Sequence, residues 1–275
     1  MRRPGVSVAS RAALRSLGAL LAYGYLALVY AFIFLPVVAL MLFSFQDGLV
    51  PVPPFRGPTL RWYAELFADD RMMAALRNSV WVGLTSSAIA TVLGFLAAYG
   101  LARYRPLAAG AIRGVLIAPI AVSYLVIGLG LSIVANELGV GRSLTLVVIG
   151  HVVINLPLAF AVVLSQMSPA QERLEKAARD LGASELRVLG LITVPVLLPG
   201  LLAAFALSFT LSWDEFVIAF LLTRFDVTLP VEIWSSIRTG LDPETNAVGT
   251  LVFLLSVGLL AITLAVVSRL SRRRV

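Results

Sequence analysis

Two adjacent acids, Asp214 and Glu215, stand inside an otherwise apolar stretch next to Ser212 and Trp213. A charge at bilayer depth costs about 2.5–3.5 kcal/mol on the insertion scale, so it is expected to face a bundle interior or water. Asp214 lies 14 residues past Gly200. At 1.5 Å per residue that is about 21 Å along a helix, beyond the middle of a hydrocarbon core about 30 Å thick. Two roles fit. The pair can form a cation-attracting step on a path, or a structural pair satisfied by Ser212 or by an arginine of another subunit. Adjacent residues on a helix point about 100° apart, so one can face a cavity while the other meets a neighbouring helix. One turn apart in a second apolar stretch, His151 and Asn155 can make a polar contact, a proton step or hydrogen-bonded packing. The chain has one histidine and no cysteine. Disulfides, thiolate metal sites and multi-histidine clusters are excluded, and no nucleophile–base constellation argues for an enzyme.

The segment from Met167 to Pro199 is chemically the richest. Ser168-Pro169-Ala170-Gln171 reads as a helix start, with Ser168 as N-cap, Pro169 at N1 and Gln171 closing a capping box. Leu174, Ala177, Ala178 and Leu181 follow at helical spacing and make one small apolar face. The other face carries Glu172, Arg173, Glu175, Lys176, Arg179 and Asp180. Glu172–Lys176 and Glu175–Arg179 are i,i+4 pairs in the favoured order. Gly182 can end the helix in a left-handed conformation. A second short turn, from Ser184 to about Leu189, leads through Pro195 and Pro199 into the next apolar stretch. Such a helix is either an ordinary surface helix or a docking element, its small residues letting a partner backbone come close and its charges setting orientation.

These residues must be positioned by a membrane protein. The sequence is 59% hydrophobic and 13% charged, against roughly 45–50% and 25% in soluble domains. Six spans are expected: Leu20–Phe45, Asn78–Leu101, Ile112–Ala135, Leu144–Gln166, Gly200–Leu222 and Val248–Val267. The first is too long for a signal-peptide core and lacks a small-residue cleavage site, so it is expected to remain a span. With the N-terminus inside, 15 of the 22 basic residues fall on inner segments and 7 on outer ones. The positive-inside rule then puts both termini in the cytoplasm, and the net charge of +7 is read as orientation, not nucleic-acid binding. Nine acids fall on outer segments and four on inner ones, which carries little weight in that rule. Pro36, Pro119, Gly128, Gly130 and Pro157 interrupt spans, as packing kinks or as bends that open a path. Gly128 and Gly130 can also let two helices approach closely. The outer loop 46–77 starts extended through Pro51, Pro53, Pro54 and Pro58. It continues as a short amphipathic helix bearing Leu60, Tyr63, Ala64 and Phe67, a connector or a docking surface. Trp81, Trp213 and Trp234 suit interfacial anchoring, or stacking on an amine. The chain thus divides into an N-terminal segment 1–19, a first span 20–45, the outer loop 46–77, a five-helix core 78–268 with the inner loop 167–199, and a basic tail 269–275.

Ala177-Ala178, three residues, Gly182, nine residues, then Ile192-Thr193-Val194-Pro195 resembles the EAA loop of ABC importer permeases, with the spacing matched at every step. Lys176 stands where that family usually has glutamate, with Glu175 one place before it, and Val194 stands for leucine. Trp62-Tyr63, Asn78-Ser79, Leu101-Ala102-Arg103 and Leu229-Pro230-Val231-Glu232-Ile233-Trp234 are also similar to this family. Together with Ser212-Trp213-Asp214-Glu215-Phe216-Val217 they look most like the second permease of spermidine/putrescine-type importers. The resemblance covers nearly the whole chain. It implies an all-α type I ABC importer transmembrane domain whose loop helix fits a groove on an ATPase. It assigns ATPase coupling to Glu175, Lys176, Ala177, Ala178, Asp180, Leu181, Gly182 and Pro195, and a substrate path to Ser212, Trp213, Asp214 and Glu215. Ile120 follows Pro119 where polyamine-type members often carry an acid, so the solute stays open between polyamines and other amine or organic solutes.

No GxxxxGK[ST] loop is present, so the chain does not supply the usual ATP site. The resemblance therefore implies no cofactor on this chain, with ATP and Mg on a partner. It further implies two copies of an ATPase, a second permease, an external solute-binding protein and the lipid bilayer of a bacterial inner membrane, without nucleic acid. The rival reading is an ion-coupled carrier or channel, which usually brings internal symmetry or more intramembrane charge.

Overall fold

A computed structural model of the protein describes residues 8–48, 54–239 and 243–272. Residues 1–7 of the N-terminal segment, Pro51 and Pro53 of the proline stretch, and residues 273–275 of the basic tail lie outside the described residues. Those described are almost entirely helical, in the order α1 (Val8–Phe43), α2 (Arg61–Ala68), α3 (Asp70–Tyr104), α4 (Ala109–Ile117), α5 (Tyr124–Glu137), α6 (Leu144–Gln166), α7 (Pro169–Asp180), α8 (Glu185–Val188), α9 (Val194–Trp213), α10 (Val217–Leu222), α11 (Leu229–Thr239) and α12 (Pro243–Arg272). A 3-10 turn follows α4, and a π turn joins α8 to α9.

The chain divides into two compact units. One comprises residues 1–64 and 241–251, the other residues 65–240 and 252–275. In the first, α1 is long, apolar and unburied along its hydrophobic window. Where α1 ends, Trp62 donates its indole N–H to the Gln46 carbonyl at 2.7 Å, and Ser44 and Tyr63 hydroxyls meet at 2.8 Å. The expected short helix of the outer loop forms as α2, but Leu60 and Phe67 are exposed, and Trp62 and Leu66 supply the buried side.

The second unit is built on α3, α6 and α9. Two apolar clusters fill it. One contains Val82, Leu146, Val147, Ile154, Ile218 and Leu222, the other Ala90, Phe95, Ala159, Phe160, Val163, Leu197 and Ala204. Without hydrophobic drive between helices in lipid, small residues supply the contact. A Cβ added at Gly94 of α3 would stand 2.7 Å from the Phe160 backbone nitrogen of α6, so the two backbones touch there. Gly128 does abut another helix, α10 at Leu221, whereas a Cβ added at Gly130 would meet no other element within 4 Å among the described residues.

Among the described residues, five helices are long and apolar enough to cross a membrane, six if the bent pair around Pro119 counts as one span. Two expected spans change form. The third, expected as one helix over Ile112–Ala135, bends by 105° between residues 109–121 and 124–137. Pro119 brings no N–H to an α-helical ladder, and the chain passes through a 3-10 turn to an extended Val122. The fifth was expected to start at Gly200 and run unbroken to Leu222. Instead helix is continuous from Glu185, through Pro195 and Pro199, to Trp213, and then stops. α10 resumes only at Val217.

Candidate functional site

The first half of the site is α7 and its surroundings. Ser168 caps the helix as expected, accepting the Gln171 N–H at 3.3 Å. The reciprocal half of the capping box is replaced, because the Gln171 amide donates to Glu175 at 3.1 Å. At the far end Gly182 adopts φ +85°. The Gly182 N–H reaches the Arg179 carbonyl at 2.8 Å and the Ala183 N–H reaches that of Ala178 at 3.0 Å. This is the double bond of a Schellman stop, and it satisfies carbonyls the helix leaves open.

The burial of α7 sorts the expected coupling residues into two groups. Leu174, Lys176, Ala177, Asp180, Leu181 and Gly182 are exposed, and Ala178 is half-buried. Pro195 is exposed in the first turn of α9. The apolar face read from the spacing therefore points away from the protein, with Leu181 90% exposed. Glu175 belongs to the other group. It is fully buried, so it is not part of that outer surface. Its carboxylate accepts from Arg103 Nε at 2.6 Å and Nη2 at 3.2 Å, from Gln171 Nε2 at 3.1 Å and from Thr193 Oγ1 at 2.9 Å. The expected Glu175–Arg179 pair gives way to this arrangement. Arg179 turns to Glu185 at 2.7 Å and to the Tyr99 hydroxyl at 3.2 Å. The Glu172–Lys176 pair does form, at 2.9 Å, and Arg105 adds a contact to Glu172 at 3.3 Å. The hydrogen bond from Lys176, and then its charge, holds the Glu172 carboxyl below its ordinary value. Arg179 does the same for Glu185.

The second half is the break after α9. Glu215 lies in the gap, and its carboxylate accepts the backbone N–H groups of Val217, Ile218 and Ala219 at 2.9–3.2 Å. It therefore caps α10, where unsatisfied N–H groups and the helix dipole favour an anion. This corrects the expectation of two acids 100° apart on one continuous helix. Glu215 is buried and committed to the backbone, and Asp214 is exposed at the C-cap of α9. Ser212 is buried; its hydroxyl meets His151 Nδ1 at 2.6 Å and the Ser86 hydroxyl at 3.1 Å. His151 Nε2 lies 3.4 Å from Glu215, within range of a charge contact but not a formed hydrogen bond. His151 thus pairs across to α9, and its neighbour Asn155 makes no hydrogen bond among the described residues. Trp213 is buried and stacks on Phe209 at 6.1 Å, so it is no interfacial anchor; Trp81 and Trp234 are about half exposed.

The start of α11 is pinned to α3. Asn78 donates to the Val227 carbonyl at 2.9 Å, and the Ser79 hydroxyl accepts the Leu229 N–H at 2.7 Å. Beside it opens a cleft of about 580 Å³ lined by Arg142, Arg224, Glu232, Trp234 and Arg238. Thr193, the Arg103–Glu175 pairing and the Ser86–Ser212–His151 contact escaped sequence reasoning. Their partners are 18 to 126 residues apart, where no local pattern reaches.

The apolar helical bundle is that of a membrane-embedded protein, and residues 90–275 match the family described as binding-protein-dependent transport system inner membrane component. The chain belongs to that family: it is a multi-pass permease subunit of an ABC importer. Among its relatives, it is 31% identical to the spermidine/putrescine transport system permease protein PotC of Escherichia coli K12, over 87% of this chain and 91% of that one. It is 32% identical to the putrescine transport system permease protein PotI of the same organism, over 82% and 83% of the two chains. Among solved structures, it is similar to a chain of a bacterial ABC transporter that imports the acidic polysaccharide alginate (TM-score 0.68, 17% identity, 97% and 99% coverage). It is also similar to a chain of the MetNI methionine ABC transporter (TM-score 0.54, 16% identity, 74% and 99% coverage).

Proposed function

We propose that this chain forms half of an inner-membrane path for a small organic cation of the polyamine class, delivered by an external binding protein. ATP hydrolysis, with its Mg, resides on two copies of a partner ATPase, and a second permease completes the path. Both termini then face the cytoplasm, which puts α7 on the ATPase side and Asp214 toward the outside. This is the orientation that the 15 of 22 basic residues on inner segments favour.

The observation that carries the cation reading is the division of labour between the two acids. Glu215 is bound to three backbone N–H groups, so its charge is already compensated. Asp214 is exposed at the C-cap of α9, where the negative end of the helix dipole adds to its own charge. An ammonium group is attracted there, and an anion is repelled. PotC and PotI, whose names carry spermidine and putrescine, support the same class of solute. Leu174, Ala177 and Leu181, exposed together on α7, support an ATPase docking face.

The test is uptake of radiolabelled putrescine and spermidine by cells carrying the whole system. Asp214→Asn lowers uptake several-fold while the ATPase still copurifies. Undiminished uptake of both amines rejects the role of Asp214. In the same cells, cysteine placed at Ala177 crosslinks to the ATPase subunit, and failure to capture it rejects the docking face.

A further inference from the structure

α7 touches the ends of α3 and α9, and one buried carboxylate reaches both. Glu175 binds Arg103 near the end of α3 and Thr193 at the start of α9. At the other end the same two helices are joined again, by the Ser86–Ser212 hydroxyl contact at 3.1 Å. Ser86 lies 17 residues before Arg103, and Ser212 lies 19 residues after Thr193. At 1.5 Å per residue the two arms measure about 26 and 28 Å. Two rods of nearly equal length are thus tied at both ends, and Asp214 sits just past one of the ties.

We infer that Arg103, Glu175 and Thr193 are positioning residues that make α7, α3 and α9 move as one closed frame, so that displacement of α7 arrives at Asp214. The inference rests on the proposed docking of an ATPase to α7. Its physical basis is the kind of bond at the α7 end. A buried ion pair adds little stability over apolar packing of the same volume, because two charges must be stripped of water. What it does provide is a fixed geometry. The Arg103 and Glu175 side chains are 8% and 0% exposed, and the guanidinium grips the carboxylate through two nitrogens. The other polar links between α7 and its surroundings, Arg179 with Glu185 and Tyr99 and Glu172 with Arg105, are partly open to water, with the Glu185 and Arg105 side chains 56% and 74% exposed. They yield where the buried pair holds.

The chain has no cysteine, so a spin-label pair can be placed cleanly at the exposed positions Arg173→Cys and Leu211→Cys. The distance between them is measured in the full complex in nanodiscs, with and without trapped ATP–Mg–vanadate. In the parent the distance stays narrow and unchanged by nucleotide, because the frame moves as a unit. In Arg103→Gln/Glu175→Gln, which leaves no charge unpaired, the distribution broadens on nucleotide trapping, and putrescine uptake per ATP hydrolysed falls about threefold or more. Arg103→Lys restores part of both. A merely structural role would shift the thermal midpoint without making the distance respond to nucleotide. If the double variant keeps the narrow distance with nucleotide bound, the inference is overturned. Should that variant fail to assemble, Thr193→Val keeps the ion pair and cuts one tie; a nucleotide-dependent broadening supports the frame, and an unchanged distance overturns it. The distance needs no transported solute, so a wrong substrate leaves this test standing. A parent complex that hydrolyses no ATP overturns the proposed function along with it.

Discussion

Glu175 and Glu215 are both buried glutamates at a junction of helices, yet they are held by opposite means. Glu175 meets a guanidinium, an amide and a hydroxyl, all supplied by side chains. Glu215 meets three backbone N–H groups and a histidine edge, with no arginine or lysine in contact among the described residues. The first arrangement joins separate pieces of chain, and its strength depends on a distant partner being in place. The second is local. It belongs to the first turn of one short helix and is set by the residues that follow it. One acid therefore transmits position between elements, and the other stops one helix and starts the next.

Removing the one side chain and neutralising the other should separate the two most clearly. Glu175→Ala leaves Arg103 charged and buried, and should cost about 3–5 kcal/mol, seen as a large fall in thermal midpoint of the detergent-solubilised protein. Glu215→Gln keeps one acceptor for the α10 N–H groups and strands no charged partner. It should cost about 1 kcal/mol, the scale of a lost charge at a helix start. If the two variants lose equal stability, the contrast between them is wrong. Gly182→Ala probes the stop of α7 at φ +85°. Its strain should cost about 1–2 kcal/mol and expose residues 181–184 to faster proteolysis, without touching Glu215.

The smallest effect concerns the exposed pairs on α7 and α8. Glu172 and Glu185 are held below the ordinary glutamate value of 4.5 by bonds from Lys176 and Arg179. Their value in the folded chain is thus lower than in the unfolded one. Any stability they add is fully present above pH 4.5 and is lost as pH falls through the depressed value. Limited proteolysis at Arg173 followed from pH 6 to pH 3 should rise only at the acidic end. Lys176→Ala should leave the thermal midpoint at neutral pH unchanged, since solvent screens such pairs.

Local features of the site were legible in the sequence, and features that join distant residues were not. Ser168 and Gly182 act through bonds to chain a few residues away, and Pro169 through its own fixed φ, so their spacing marks the bounds of α7. Leu174, Ala177, Ala178 and Leu181 announced a face along α7 and its C-cap, and all but the half-buried Ala178 are exposed. Glu175 carries the same local signal as Glu172, an acid four residues before a base. Only the fold distinguishes them, because Arg103 lies 72 residues away and outcompetes Arg179 for it. The six apolar stretches were readable because a bilayer demands length. The bend at Pro119 and the stop after Trp213 were not, since a proline or an acid inside a span is equally at home in a continuous helix whose neighbours satisfy it. The stop has one readable sign, an acid two to four residues before the N–H groups it caps.

The touching backbones at Gly94 have a consequence for how the protein is made. α3 emerges from the ribosome well before the part of α6 that it must meet, some 65 residues later, which at 5–20 residues per second is an interval of about 3–13 seconds. Through that interval α3 lacks α6, and of its hydroxyl residues buried in the finished protein, Ser79, Ser86, Ser87 and Thr91, the first two wait longer still, for the Leu229 N–H and for Ser212. A nascent chain with that hydroxylated stripe needs shelter in the insertion machinery until its mate arrives. Slowing translation between the two helices should therefore lengthen its stay beside the insertase and raise its exposure to membrane quality-control proteases.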